Sequence, residues 1–231
     1  MSKLLATGGA MHLRDIAQRF GVSQMTIRRD VAQHADKFVC LGGHIAHAAG
    51  GASGYTIESE KDHFAGAKRA ACRAALCHVR DHDTLFIDCG TTLLALAHLI
   101  PDELHLTVIC YSLGIAEILK KKPNVRLLVL GGWYVPSSDS FGGEETLAAL
   151  ADKGINTAFI SAGGVDDVYG VSCWNPHEKA VKQKAMKIAS RCYLVVDSSK
   201  LGQRRPIQFA RLNAFTGIVT ERNWPGKGVR R

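Results

Sequence analysis

The sequence of 231 residues lacks the patterns that mark membrane and secreted proteins. It has no run of 18 apolar residues, so we expect no membrane-spanning helix and no membrane partner. The N-terminal stretch MSKLLATGGAMHLRD contains only two consecutive leucines, too few for the apolar core of a secretory signal. We therefore expect a cytoplasmic protein.

Metal-binding and disulfide patterns are also missing. The seven cysteines are odd in number and none of them forms a CxxC pair. The ten histidines include no HExxH motif, and no Cys/His spacing is typical of a zinc site. These observations predict buried, reduced thiols, with no disulfide, no metal site and no cofactor.

Positive charge is in excess. The chain carries a formal net charge of +8 and has a pI near 9.2, which favours a polyanionic partner such as nucleic acid. The first 50 residues contain six Lys or Arg, three Asp and no Glu. A hydrophobic content of 46% is enough for a packed core, and the length allows two modest domains.

Two short helices separated by a turn are predicted in the run LRDIAQRFGVSQMTIRRDVAQ. The first helix would pack across the second through Ile16, Ala17 and Phe20, which lie at helical spacing. Gly21 breaks that pattern, and Ser23 can cap the second helix by accepting a backbone hydrogen bond. This arrangement indicates a helix-turn-helix.

The second helix has a polar outer face that suits contact with DNA. Hydroxyl, amide and guanidinium groups at a helix start can reach phosphates or base edges. The following run FVCLGGHIA, residues 38–46, predicts a β-hairpin that would act as a wing beside the groove. The candidate DNA-binding residues are Ser23, Gln24, Thr26, Arg28, Arg29 and, in the hairpin, His44.

The Ala/Gly/Ser-rich run HAAGGASG, residues 47–54, is the best candidate for a linker. After it, six apolar runs alternate with helical segments: 84–88, 106–110, 125–132, 157–164, 192–197 and 217–220. This alternation predicts an α/β domain whose mostly parallel sheet is covered on both faces. We predict three parts: a headpiece at 1–50, a linker and connecting helix at 51–73, and an α/β domain with a basic tail at 74–231.

Polar residues follow the ends of several predicted strands. In open parallel sheets, ligands bind beyond the carboxyl ends of the strands, and the GTT run opens a helix whose start can hold an anion. Such loops suit a phosphorylated sugar, with carboxylates for its hydroxyls and lysine for its phosphate. The candidate ligand-binding residues are Asp88, Gly90, Thr91, Thr92, Ser112, Gly132, Gly164, Glu178, Lys182, Asp197 and Lys200.

The N-terminal run resembles the DNA-binding domain of the DeoR family of bacterial transcription regulators. The family signature Ser-x-x-Thr-Ile-Arg-Arg-Asp stands here at residues 23–30, and a glycine-turned wing follows it. Only MSKLLATGGAMH precedes the helix pair. The longer first helix of the family is therefore expected to be shortened here or to lie upstream of Met1.

The second part of the chain, about residues 74–221, resembles the sensor domain of the same family. The matching segments are FIDCGTT, LLVLGG, SAGGVD, NPHEKAVKQKAM and VVDSSKLG. The resemblance implies a fold shared with ribose-5-phosphate isomerase and CoA-transferase-like proteins. It also implies a repressor that binds operator DNA, responds to a sugar phosphate and forms a homo-oligomer.

Some segments narrow the resemblance within the family. CYS at residues 110–112, WNPHEKAVKQKAM and VVDSSKLGQRRP are most similar to the branch that controls deoxyribonucleoside catabolism. That similarity implies deoxyribose-5-phosphate as the effector.

Two other functions fit parts of the sequence. A sugar-phosphate isomerase with a fused helical module could use Asp88, Glu178, Asp197 and Lys200 as acid and base groups. A nonspecific nucleic-acid binder would need only the basic charge, and its binding would depend on salt but not on sequence.

Overall fold

A computed structural model describes residues 10–35, 38–41, 44–47 and 64–222. Three features expected from the sequence lie outside these residues: the linker that follows His47, the Gly42-Gly43 turn of the hairpin, and the basic tail WPGKGVRR. Among the described helices, none is both long enough and apolar enough to cross a bilayer. The predicted fold class, a small winged helix-turn-helix domain followed by an α/β domain, is confirmed.

The N-terminal part consists of two helices and a small antiparallel sheet. In chain order its elements are β1 (Ala10–His12), α1 (Leu13–Phe20), α2 (Gln24–Gln33), β2 (Phe38–Leu41) and β3 (His44–His47). The strands pair in the order β1-β3-β2, so the wing gains a third strand that the sequence did not suggest. Gly21 adopts a φ of 64° between the helices, a left-handed conformation that favours glycine.

The core of this part differs in one residue from the prediction. Ile16 and Ala17 are buried as expected, but Phe20 is 47% exposed and lines an open groove beside Val22. Phe20 is the last residue of α1, where Gly21 turns the chain away, so its side chain is not enclosed. The buried set is Leu13, Ile16, Ala17, Ile27, Val31, Phe38 and Ile45.

The second part is built on a six-stranded sheet in which all pairs of neighbouring strands are parallel. The strand order is β14-β12-β9-β4-β5-β6. Each strand corresponds to one of the six apolar runs: β4 (Thr84–Ile87), β5 (Leu106–Cys110), β6 (Val125–Val129), β9 (Ile155–Ile160), β12 (Ala189–Val195) and β14 (Gly217–Val219).

Helices and a small sheet cover this central sheet. The helices are α3 (Ala65–Ala75), α4 (Thr91–Leu99), α5 (Leu113–Leu119), α6 (Glu144–Ala151) and α7 (Pro176–Ile188). A three-stranded antiparallel sheet, which the sequence did not indicate, contains β10 (Gly164–Asp166), β11 (Gly170–Cys173) and β13 (Ile207–Ala210). A hairpin of β7 (Trp133–Val135) and β8 (Ser140–Gly142) was likewise not predicted.

Alternate residues of the strands contribute to two apolar cores. Leu85 and Ile87 pack with residues of α3, α4 and α5, whereas Phe86 packs on the other face with residues of α6, α7 and the small sheet. A strand that is covered on both faces has no solvent side, and this explains the continuous apolar runs in the sequence.

The direction of the chain reverses next to β4. From β4 the chain adds β5 and β6 on one side, and then returns to place β9 on the other side of β4. The loops after β4 and β9 therefore leave in opposite directions and open a crevice at the carboxyl ends of these two strands. In parallel α/β sheets, such a topological switch point is where ligands bind.

The cap of α2 provides a test of the headpiece structure. Ser23 Oγ accepts a hydrogen bond of 3.0 Å from the backbone N–H of Thr26. Replacing Ser23 by Ala should destabilise α2 by about 1 kcal/mol, because an N-terminal amide loses its partner. Amide hydrogen exchange of α2 in the full chain should become roughly five-fold faster. Ser23→Asn, which keeps a capping oxygen, should restore the rate, and equal rates in all three proteins would contradict this role.

Candidate ligand site and nucleic-acid interface

A small cavity, partly open to solvent, lies at the switch point. Its walls come from the loop after β4, the loop after β9, helix α7 and the segment that follows β12. The lining residues are Gly90, Thr91, Thr92, Ser161, Ala162, Gly163, Trp174, Glu178, Lys182, Lys200 and Arg205. Six of the eleven predicted ligand-binding residues are among them: Gly90, Thr91, Thr92, Glu178, Lys182 and Lys200.

Helix α4 points its N-terminus at this cavity. Gly90 occupies the N-cap position and no side chain caps the helix there. The backbone N–H groups of a first helical turn and the helix dipole both favour an anion. A side chain at Gly90 would collide with Ser161, so glycine is required for the close approach of the two loops. The GTT run therefore opens a helix whose start faces the cavity, and the anion site there stays a prediction.

Below the cavity, Asp88 and Lys182 form a buried ion pair. Asp88 is fully buried at the end of β4, and Lys182 reaches it from α7. The second oxygen of Asp88 also accepts hydrogen bonds from the Ser161 backbone N–H at 2.9 Å and the Ser161 hydroxyl at 2.5 Å, while Tyr111 donates to the first oxygen at 2.5 Å. These contacts connect β4, β5, β9 and α7 through one carboxylate.

The ion pair sets the charge states of its members. Burial favours the neutral form of Asp88, but the Lys182 ammonium and the hydrogen bonds from Lys182, Ser161 and Tyr111 outweigh it and hold the pKa of Asp88 below its ordinary value. Burial likewise opposes the charge on Lys182, yet Asp88 and the other nearby acidic groups raise the pKa of this lysine. Both groups are therefore charged at neutral pH.

Glu178 stands beside this pair, one helical turn before Lys182. Burial raises the pKa of Glu178 above its usual value, while Lys182 at 3.7 Å and a hydrogen bond of 2.6 Å from Asn175 act in the opposite direction. The cavity and the pair beneath it combine three cationic side chains, those of Lys182, Lys200 and Arg205, with the carboxylates of Asp88 and Glu178. The balance favours an anionic ligand.

Asp88 does not have the role that the sequence suggested. We expected its carboxylate to accept a hydroxyl proton from a polyol, but it has no exposed surface and both its oxygens already accept hydrogen bonds. The strand end is covered by Ser161 and Lys182, which only tertiary packing brings over it. Asp88 therefore positions Lys182 and Ser161 from below the cavity.

Four other predicted residues do not line the cavity. Ser112 is buried and caps α5, and Gly132 packs against the backbone of Gly142 in the β7–β8 hairpin. Gly164 approaches the backbone of Gln203, and Asp197 is buried, where it accepts hydrogen bonds from Ser199. The crevice opens between the loops after β4 and β9 and is completed by α7 and the segment after β12, so these four residues lie outside it.

Five cavity residues were not among the predicted ligand-binding residues, although each lies in a segment that the sequence singled out: Ser161, Ala162, Gly163, Trp174 and Arg205. Ser161 directly follows β9 and touches both members of the ion pair. Arg205 donates a hydrogen bond of 2.9 Å to the Gly163 carbonyl, and its guanidinium lies 4.7 Å from the ring centroid of Trp174. Both Trp174 and Arg205 are brought to the cavity by the small antiparallel sheet, which was not predicted.

The polar face of α2 is arranged as expected. Gln24, Arg28 and Arg29 are exposed, and Thr26 is half-buried. Ser23 and Thr26 share a side-chain hydrogen bond of 2.9 Å at the start of the helix. His44 begins β3 opposite Leu41 of β2. The two arginines are thus free of the headpiece core, which is formed by the opposite face of α2 through Ile27 and Val31.

Each of the two parts of the chain matches a domain of a known protein family. Residues 1–50 match the DeoR-like helix-turn-helix domain, and residues 63–222 match the DeoR C terminal sensor domain. The chain belongs to the DeoR family. The expectation of a DeoR-family transcription regulator is therefore confirmed, while the domain boundaries at residues 50 and 73 stay a prediction.

Relatives within the DeoR family are similar over almost the whole chain. The Deoxyribose operon repressor of Escherichia coli K12 is 38% identical over 211 residues, which cover 91% of this chain and 84% of the relative. The Lactose phosphotransferase system repressor of Staphylococcus epidermidis RP62A is 31% identical, over 96% and 90% of the two chains. The L-fucose operon activator of Haemophilus influenzae is 30% identical, over 94% and 88%.

A solved structure supports the fold of this DeoR-family chain. The delta subunit of eIF2B from Chaetomium thermophilum matches with a TM-score of 0.53 at 13% identity, over 71% of this chain and 59% of that one. At such low identity the similarity concerns the fold alone.

The buried ion pair predicts a large effect of one substitution. Lys182→Met should lower the free energy of unfolding by about 3–5 kcal/mol, because the Asp88 carboxylate would remain buried without its counterion. Lys187 lies on the same helix but is exposed, so Lys187→Met is the matched control and should change stability little. Urea denaturation measures both, and equal stabilities of the two variants would refute this account.

The same pair predicts how the effect depends on pH. The pKa of Asp88 is lower in the folded chain than in the unfolded one, so its stabilising contribution is complete above about pH 4 and is lost as the pH falls through the folded value. Without Lys182, the buried Asp88 would bind a proton more readily. The difference in stability between wild type and Lys182→Met should therefore shrink on acidification from pH 7 towards pH 3. A constant difference would show that Asp88 is not the responsible group.

Proposed function

We propose that this protein is a repressor of a deoxyribose or deoxyribonucleoside catabolic operon, that it acts from the cytoplasm, and that deoxyribose-5-phosphate controls it. The observation that carries the proposal is the combination of a DeoR-type headpiece with a cationic cavity at the switch point of the sensor sheet. The named function of the E. coli relative, with 38% identity over most of both chains, supports deoxyribose as the sugar.

The headpiece supplies the contact with DNA. Arg28 and Arg29 are exposed on the first turns of α2, the position from which a recognition helix reaches the major groove. Ser23, Gln24, Thr26 and His44 complete the proposed DNA-contacting set. Operators of helix-turn-helix proteins mirror the symmetry of the protein, so we propose that the repressor works as a homo-oligomer.

The sensor cavity suits a phosphorylated deoxysugar. We place the phosphate at the N-terminus of α4, within reach of Lys200 and Arg205, because these groups combine a helix dipole with cationic side chains. We place the sugar towards Trp174 and Glu178. Glu178 is the one carboxylate among the lining residues, and Asn175 already donates a hydrogen bond to it. Glu178 and the hydroxyls of Thr91, Thr92 and Ser161 can accept hydrogen bonds from sugar hydroxyls, and the choice of deoxyribose rests on the E. coli relative.

Ligand binding must favour one conformation of the repressor if it is to change the affinity for DNA. A ligand that bound both conformations equally would shift nothing. A ligand that contacts Lys182 touches the partner of Asp88, and Asp88 is the carboxylate on which β4, β5, β9 and α7 converge.

An isomerase would need a free acid or base at this place. Asp88 is buried and already hydrogen-bonded and Asp197 does not line the cavity, whereas Glu178 and Lys200, the other two candidate groups, do line it. We infer binding without turnover from the DeoR-type headpiece, and incubation of the purified protein with ribose-5-phosphate or deoxyribose-5-phosphate should leave both compounds unchanged.

The DNA contact is tested by the double variant Arg28→Ala/Arg29→Ala. Its affinity for the region upstream of its own gene should fall roughly ten-fold or more in a gel shift, because charge-assisted contacts to bases or phosphates are lost. Lys120→Ala/Lys121→Ala removes two exposed charges from the sensor and is the matched control. Equal losses in the two double variants would instead indicate nonspecific binding through net charge.

The effector assignment is tested by isothermal titration with deoxyribose-5-phosphate, ribose-5-phosphate and inorganic phosphate. We expect the deoxysugar to bind most tightly and to change operator affinity in the gel shift. Arg205→Gln should weaken its binding roughly ten-fold to a hundred-fold, since a charge-assisted hydrogen bond is removed. Arg204, the neighbouring residue, pairs with Asp166 and does not line the cavity, so Arg204→Gln should bind normally.

Two results would overturn the effector assignment. One is a clear preference for another phosphosugar, and the other is an equal effect of the two arginine substitutions. Fluorescence gives a separate readout, because Trp174 lines the cavity. The ligand-induced change in tryptophan emission should disappear in Trp174→Phe.

A further inference from the structure

Three exposed side chains that could bind a metal ion meet at the end of the sheet opposite the cavity. Asp81 and His82 lie in the turn before β4, and His105 immediately precedes β5. The cavity lies beyond the carboxyl ends of strands, whereas this cluster lies at the amino ends of β4 and β5. The two places therefore share no residue.

The side chains are spaced as the ligands of one small ion would be. A carboxylate oxygen of Asp81 lies 3.4 Å from His82 Nε2, and the other lies 3.6 Å from His105 Nδ1. One ligand atom from each residue can be chosen so that all three lie within 4.8 Å of one another. Around a tetrahedral zinc ion, neighbouring ligand atoms are roughly 3.3 Å apart. A small closing movement would therefore complete the geometry.

Backbone hydrogen bonds hold the cluster together. His82 N–H donates to the His105 carbonyl at 2.8 Å, and His105 N–H donates to Asp81 Oδ1 at 2.7 Å. His82 adopts a φ of 64°, a left-handed conformation that is uncommon for a residue other than glycine. The two imidazole rings are stacked, with their centroids 5.5 Å apart. The backbone positions of the two histidines are thus set by the fold before any ion binds.

We propose that Asp81, His82 and His105 form a binding site for a late first-row divalent metal ion such as Zn²⁺ or Ni²⁺. Imidazole nitrogens suit these ions, whereas Mg²⁺ and Ca²⁺ prefer all-oxygen ligands. Three protein ligands leave at least one coordination position open to water.

The bound ion would tie the turn before β4 to the start of β5. Because the ligands converge only in the folded chain, binding stabilises that state by an amount that grows with the metal concentration. This inference does not rest on the proposed function, since no residue of the cluster belongs to the cavity or the headpiece.

The test is isothermal titration of the untagged, EDTA-dialysed full chain with NiCl₂ and with ZnCl₂ at pH 7.5. We expect one ion per chain and a rise in melting temperature. His82→Gln and His105→Gln should each weaken binding by at least about ten-fold, and the rise in melting temperature should disappear. Circular dichroism checks that the variants, which alter exposed side chains, remain folded.

Two controls separate this site from other metal ligands of the chain. His98→Gln removes an exposed histidine elsewhere, and Cys77→Ser removes an exposed thiol that could bind Zn²⁺. Both should bind as the wild type does. Absence of binding at 100-fold excess of either ion, or unchanged affinity in His82→Gln and His105→Gln, would overturn the proposal.

Discussion

The sensor depends on the contact between Asp88 and Lys182. A carboxylate and an ammonium group that are both buried would each destabilise the fold if left alone, so each makes the other necessary. Because Asp88 ends β4 and Lys182 belongs to α7, their attraction fixes the helix over the carboxyl end of the strand. Tyr111 from β5 and Ser161 from β9 bind to the same carboxylate, so four elements are positioned by one group.

This arrangement explains why the cavity is cationic although its floor contains an acid. Both oxygens of Asp88 accept hydrogen bonds from neighbouring residues, and its negative charge keeps Lys182 protonated. Lys200, Arg205 and the start of α4 add further positive groups to the cavity wall, in which Glu178 supplies a carboxylate. A phosphate group would find there both the point charges and the helix dipole that proteins use to hold anions.

The headpiece and the sensor use the same physical device for different partners. In each part, the start of a helix presents polar groups to the partner. Ser23 is the N-cap of α2, whose outer face carries two exposed arginines, and Gly90 is the N-cap of α4 at the cavity. The difference lies in exposure. The arginines stand on an open helix face, which can approach a long polymer, whereas the start of α4 lies in a crevice that admits a small anion.

The sequence was sufficient for the six parallel strands, the helix pair and the wing, because apolar periodicity, the Gly21 turn and the Ser23 cap are local signals. It also indicated the GTT run at the start of α4 and the motif segments that contain Trp174 and Arg205. It could not predict that Phe20 is exposed, because the burial of this residue depends on how the chain leaves α1. It also could not predict the small antiparallel sheet, because its short strands show no clear hydrophobic period.

Tertiary structure alone decided which strand ends form the site. Strand order follows from how the chain crosses over, and the return of β9 to the side of β4 places the crevice at the loops after these two strands, with Lys200 added from the segment after β12. The same strand order places Asp88 beneath the crevice, where it is buried. Ser112, Gly132 and Asp197 lie outside the crevice and have structural roles. Contacts between residues that are distant in sequence, such as Asp88 with Lys182 or Asp81 with His105, depend on long-range packing. No local pattern of residues encodes them, and so the sequence specified the chemistry of the chain while the fold selected which of its groups meet.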